Sequence, residues 1–65
     1  MTDLTPRELQ AVTLVAEGLT DAESGEHLVL KKDSVTALMS KVISKLGARN
    51  RAHAVALCFR GGVLT

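Results

Sequence analysis

KKDSVTALMSKVISKL, residues 31–46, is the stretch whose reading settles the fold. At roughly 100° per residue, Val35, Leu38, Met39, Val42 and Leu46 fall on one apolar stripe, the face that a helix turns to a core. Ser34, Thr36, Ala37, Ser40, Lys41, Ser44 and Lys45 lie away from it and are small or basic. The spacing predicts a helix over about 33–46, stopped by Gly47, with one face buried and the other left for a partner. Met39 reads as core and as nothing else.

Towards the N-terminus, Thr20-Asp21-Ala22-Glu23 has the form of a capping box, so a short helix is expected over about 21–28. Ser24-Gly25 stands where such a helix needs apolar contacts. Glycine costs about 1 kcal/mol there relative to alanine, and its presence predicts the close approach of a neighbouring helix. Val29-Leu30 fill the following turn. Further back, Thr5-Pro6-Arg7-Glu8 combines a cap, a proline at the first helical position and a second capping box. Leu9, Val12, Val15, Ala16 and Leu19 then recur at helical spacing, giving a helix over about 6–17 that Gly18 can end in a left-handed conformation. Past Gly47, Asn50 can cap a fourth helix over about 51–60. Ala54, Val55, Leu57, Cys58 and Phe59 supply its apolar surface before Gly61-Gly62. The expectation is an all-α fold of four short helices, one domain over residues 1–65, with no strand or linker.

A core drawn from 65 residues is marginal, and chains of this length usually add disulfides, a metal or a partner subunit. Cys58 is the only cysteine, so no disulfide forms within the chain, and a reducing, cytoplasmic setting is expected. No apolar run is long enough to span a bilayer, and MTDLTPRE does not resemble a signal peptide. Self-association therefore becomes the expected staple. The net charge of +1 hides an asymmetry: residues 1–26 sum to −5 and residues 27–65 to +6. Either the basic part faces an anionic partner, or the two parts pair with each other.

Other chemistry finds little footing. The spacing of His27, His53 and Cys58 fits no compact zinc pattern. Cys58 lies in an apolar run and reads as a small core or interface residue. Glu23 and Glu26 read as a capping group and a solvated helix residue, and the glycines stop helices rather than cradle a phosphate. No enzyme activity, cofactor or metal is expected.

LTPRELQAVTLVAEGLT, a short helix, and then SVTALMSKVISKLGARNRAHAV together resemble the LuxR/GerE-type helix-turn-helix DNA-binding domain, from Leu4 to about Leu64. The most specific pieces are LTPRE, the A-E-G-L-T end of the first helix, and KLGARNRAHAV. The resemblance implies a third helix in the DNA major groove, a second crossing the backbone, and a fourth that often forms a homodimer interface. With nothing preceding it, the chain would resemble the rare stand-alone members.

On that placement Lys31, Lys32, Lys41, Lys45 and Arg51 would hold phosphates, while Ser34, Thr36, Ala37 and Ser40 would face bases. Val55, Phe59 and Val63 would form a dimer interface. The pattern departs from the family at functional positions. The usual capping serine is Lys31, so Asp33 or the local backbone must cap the third helix. The usual T-V-K-x-H is Ser34-Val35-Thr36-Ala37-Leu38, and on the second helix the usual isoleucine-alanine pair is Ser24-Gly25. Thr36 and Ser40 can each make a single hydrogen bond but not the two-pronged contact of arginine to guanine, and Ala37 can only touch a thymine methyl. The function expected is DNA binding and transcriptional regulation as a small homodimer on double-stranded DNA, cytoplasmic and nucleoid-associated. The other reading is a protein-interaction module on the same fold, binding another regulator with little or no DNA affinity.

Overall fold

Both expected capping boxes form. Thr5 accepts from the Glu8 N–H at 3.2 Å while Glu8 Oε1 accepts from the Thr5 N–H at 2.8 Å. Thr20 and Glu23 repeat the arrangement at 3.1 and 2.8 Å. In the computed structural model, which describes residues 4–62, these caps start α1 (Pro6–Ala16) and α2 (Asp21–Leu28). The long apolar stripe becomes α3 (Lys32–Leu46), and Asn50, accepting from the His53 N–H at 2.8 Å, starts α4 (Arg51–Arg60). No strand occurs among the described residues. Helix α3 begins at Lys32 with no side-chain cap: the Lys31 carbonyl accepts from the Ser34 and Val35 N–H groups, and Asp33 stands exposed in the first turn.

Three helices end the same way, with an amide reaching back five residues: Leu19 to Leu14, Leu30 to Gly25, Ala48 to Ile43. Each ending needs a left-handed residue. Gly18 (φ 92°) and Gly47 (φ 64°) supply two, but Val29 supplies the third at φ 57°. A β-branched residue is disfavoured there by roughly 1–2 kcal/mol, and Val29 is 90% exposed, so packing returns little. Val29→Gly is therefore expected to stabilise the chain by about 0.5–1 kcal/mol after the larger backbone entropy of glycine is deducted. A raised urea midpoint at unchanged m-value checks this.

Helix α3 packs against all three other helices. Val35, Met39 and Val42 are fully buried, and the main core gathers Met39 and Val42 with Ala11 and Val12 of α1 and Ala54 and Cys58 of α4. Leu38 and Leu46 are only partly buried at its margin. Helix α2 contributes nothing to this cluster. It lies on α1 and α3, with Leu28, Ser24 and Gly25 buried, and it reaches α4 through the side chain of Asp21.

Gly25 is the place of close approach, but what approaches is the turn into α3 rather than a neighbouring helix. A Cβ at Gly25 would stand 2.5 Å from the Leu30 carbonyl oxygen, so the turn must move outward to admit even alanine. Ser24 beside it is fully buried, and its hydroxyl has no hydrogen-bond partner among the described residues. An unmade bond of that kind costs about 1–3 kcal/mol. Ser24→Ala removes the group without adding volume and gains helix propensity. It is expected to stabilise by about 1 kcal/mol, seen as a rise of about 4–8 °C in a thermal melt.

Candidate nucleic-acid interface

The outer face of α3 is built from what the core leaves over. Ser34, Thr36, Ala37 and Ser40 are all exposed, as are Asp33 and Ser44, which helical spacing puts on the same side. Lys31 and Lys32 stand at the N-terminal end of this face and Lys41 along it, all exposed. No ion pair joins those three lysines to another described residue. Arg49, exposed in the α3–α4 turn, extends the basic surface.

Two of the five expected phosphate-binding residues are already engaged inside the molecule. Lys45 Nζ lies 2.7 Å from Glu8 Oε1, the oxygen that also accepts from the Thr5 amide. The Glu8 side chain is only 3% exposed. Arg51 forks onto Asp21, Nη1 to Oδ1 at 2.6 Å and Nη2 to Oδ2 at 3.0 Å. Thr36, expected at the bases, donates its hydroxyl to Asp21 Oδ2 at 2.6 Å. Asp21 thus ties together the start of α2, the first turns of α3 and the start of α4. Sequence reading missed it. Both ion pairs join the acidic first part of the chain to the basic remainder, so mutual pairing accounts for part of the charge asymmetry.

These contacts set the ionisation of the two acids. The hydrogen bond from Lys45, aided by the Thr5 amide, holds the Glu8 carboxyl below the usual carboxylate range. The hydrogen bond from Arg51 does the same for Asp21, against the opposing effect of burial and with help from Thr36. Both groups bind protons less readily folded than unfolded. Their stabilisation is therefore complete above the ordinary carboxylate range and is lost as pH falls through the lowered folded values. The urea midpoint is expected to be flat from pH 7 to about 5 and to fall below about pH 4. Glu8→Gln and Asp21→Asn should each lower the neutral-pH midpoint and flatten that fall.

Elsewhere the chemistry is quiet. Burial pushes the Cys58 thiol up, keeping it neutral among the core side chains. His53 Nδ1 accepts from the Arg49 amide at 3.0 Å. Among the described residues no three His, Cys, Asp or Glu side chains gather closely enough to hold a metal, and no helix is long and apolar enough to cross a membrane. Of the expected dimer residues, Val55 is half-buried, Phe59 is 49% exposed and Val63 lies outside the described residues.

Residues 2–58 match the family described as bacterial regulatory proteins, luxR family. The chain is similar to the transcriptional activator protein BjaR1 of Bradyrhizobium diazoefficiens, 36% identical over 63 residues, which covers 97% of this chain and 26% of that protein. It is also similar to the transcriptional regulatory protein LiaR of Bacillus subtilis, 37% identical over 57 residues, 88% of this chain and 27% of that one. The chain therefore spans about a quarter of the length of these relatives. Its fold is close to that of the transcription factor GerE, with a TM-score of 0.91 and 27% identity over 95% of this chain and 92% of that one.

Proposed function

We propose that this chain, which belongs to the luxR family of bacterial regulatory proteins, binds double-stranded DNA through α3 and regulates transcription as a homodimer. The observation that carries the reading is the outer face of α3, where small polar side chains lie exposed beside Lys31, Lys32 and Lys41. A major groove admits one helix, and affinity comes chiefly from cations at phosphates while small groups allow close approach to base edges. The names and fold of the relatives support the same reading. Ser34, Thr36, Ala37 and Ser40 would meet bases. Lys31, Lys32 and Lys41 would hold phosphates, with Lys45 and Arg51 contributing only by sharing or giving up their acidic partners. Such a protein acts in the cytoplasm, on the nucleoid.

Homodimerisation is part of the proposal. Phe59, the one aromatic residue of the chain, is half exposed on α4, and two copies related by a two-fold axis would set their α3 helices about one DNA turn apart. The alternative, a module that binds another regulator, is favoured by the prior engagement of Thr36 and Arg51 with Asp21. Fluorescence anisotropy with random duplex at low salt separates the two. A DNA reader should bind at micromolar protein and lose affinity steeply with salt, whereas absence of binding removes the direct-regulator reading. Sedimentation of the wild type and of Phe59→Ser tests the dimer, and a monomeric wild type removes it.

A further inference from the structure

The Thr36 hydroxyl has one proton to give and two lone pairs with which to accept. Two acceptors compete for the proton: Asp21 Oδ2 at 2.6 Å and the Lys32 carbonyl at 3.2 Å. A short bond to a carboxylate is roughly twice as strong as a neutral one, so the proton lies towards Asp21. Asp21 is well placed to keep it. Its side chain is 15% exposed, and the Arg51 fork fixes both of its oxygens. What the hydroxyl of Thr36, an exposed residue, has left for a partner is then a lone pair and no proton.

In the major groove that difference is legible. Adenine N6 and cytosine N4 are amino donors, whereas guanine O6 and thymine O4 are acceptors. A freely turning hydroxyl can meet either kind. One whose proton is held inside the protein can accept from an amino group and is repelled by a keto oxygen. We propose that Asp21 is a positioning residue for specificity: by holding the Thr36 proton it makes Thr36 an acceptor-only probe that selects an amino-bearing base over a keto-bearing one at the position it faces. This rests on the DNA-binding reading above and adds a rule that the reading alone does not contain. Asp21 itself does not touch the base; the paired Arg51 also offsets the charge that would otherwise repel nearby phosphates.

The test is selection of bound sequences from a random duplex pool by the full chain, by Asp21→Asn and by Thr36→Val. Binding to the unselected pool at low salt is measured first. Wild type is expected to favour amino over keto bases about three- to tenfold at one position of the bound site, the size of a single net hydrogen bond. In Asp21→Asn the carboxylate acceptor is lost and the proton is left to the weaker Lys32 carbonyl or to an acceptor outside, so the bias should shrink while duplex binding persists. Thr36→Val removes the hydroxyl at nearly constant shape and should erase the same bias. Thr36→Val shows only that the bias arises at Thr36, so Asp21→Ala, which also removes the carboxylate acceptor, takes the place of Asp21→Asn if circular dichroism shows that the latter has lost its helices. A wild type that binds without any amino bias, a bias undiminished in the folded Asp21 variant, or a bias that survives in Thr36→Val overturns the proposal and leaves DNA binding standing. A wild type that fails to bind the unselected pool overturns both.

Discussion

Met39→Ala is expected to abolish cooperative unfolding at 25 °C, leaving a chain with residual helix and no sharp melt. Met39 is the largest fully buried side chain, and it shares the core cluster with Ala11 and Val12 of α1 and Ala54 and Cys58 of α4. Truncating a buried methionine to alanine costs about 2–5 kcal/mol, from lost transfer free energy and the cavity left behind. A single core of this size rarely supplies more than about 3–5 kcal/mol in total. The two quantities are comparable, so one substitution removes most of the stability. Met39→Leu conserves volume and should cost less than about 1.5 kcal/mol. Urea titration followed by circular dichroism distinguishes them: the leucine variant keeps a sigmoidal transition, and the alanine variant shows a broad slope from zero denaturant. An alanine variant with a wild-type midpoint would mean that the core does not close on Met39.

That Met39 would be central was legible because a 3.6-residue period is a local property. Val35, Met39 and Val42 announce a buried face without reference to the rest of the chain. The caps at Thr5, Thr20 and Asn50 were legible for the same reason, each depending on residues three positions apart. The contacts that organise the candidate interface span 15 to 37 positions, and no local pattern encodes them. Lys45 and Arg51 were assigned to phosphates because they are basic and lie on or next to α3. Their engagement with Glu8 and Asp21 depends on how α1 and α2 lie against it. The charge asymmetry carried a trace of this, but it could not say which acid meets which base. Ser24-Gly25 looked like a weak place in α2 and is instead its buried face, since the approach of the α2–α3 turn excludes anything bulky at Gly25. Ala11 escaped notice because alanine carries a weak signal in a hydrophobic pattern, yet it is fully buried.

On the proposed DNA-binding reading, affinity follows the division between the ion-paired Lys45 and Arg51 and the exposed Lys31, Lys32 and Lys41. Lys31→Ala/Lys32→Ala/Lys41→Ala is expected to weaken binding to random duplex by a hundredfold or more at about 0.1 M salt. Each phosphate contact contributes about 0.9 to the slope of log affinity against log salt, so three lost contacts flatten it by nearly three. Extrapolated from the 1 M reference, that slope change corresponds to between two and three decades per protomer at 0.1 M. The fold should survive, since all three side chains are exposed and outside the core. Lys45→Ala is the informative control, because it also removes one positive charge near α3. Its ammonium answers the buried Glu8 carboxylate, and its removal leaves that charge without its cation. Lys45→Ala should therefore lower the unfolding midpoint while changing the salt slope by less than one. If the triple variant kept the wild-type slope, the exposed lysines would not be phosphate contacts. If Lys45→Ala flattened the slope as much as each of the other three, the pairing with Glu8 would yield to DNA, and α1 would be coupled to the bound state through that one carboxylate.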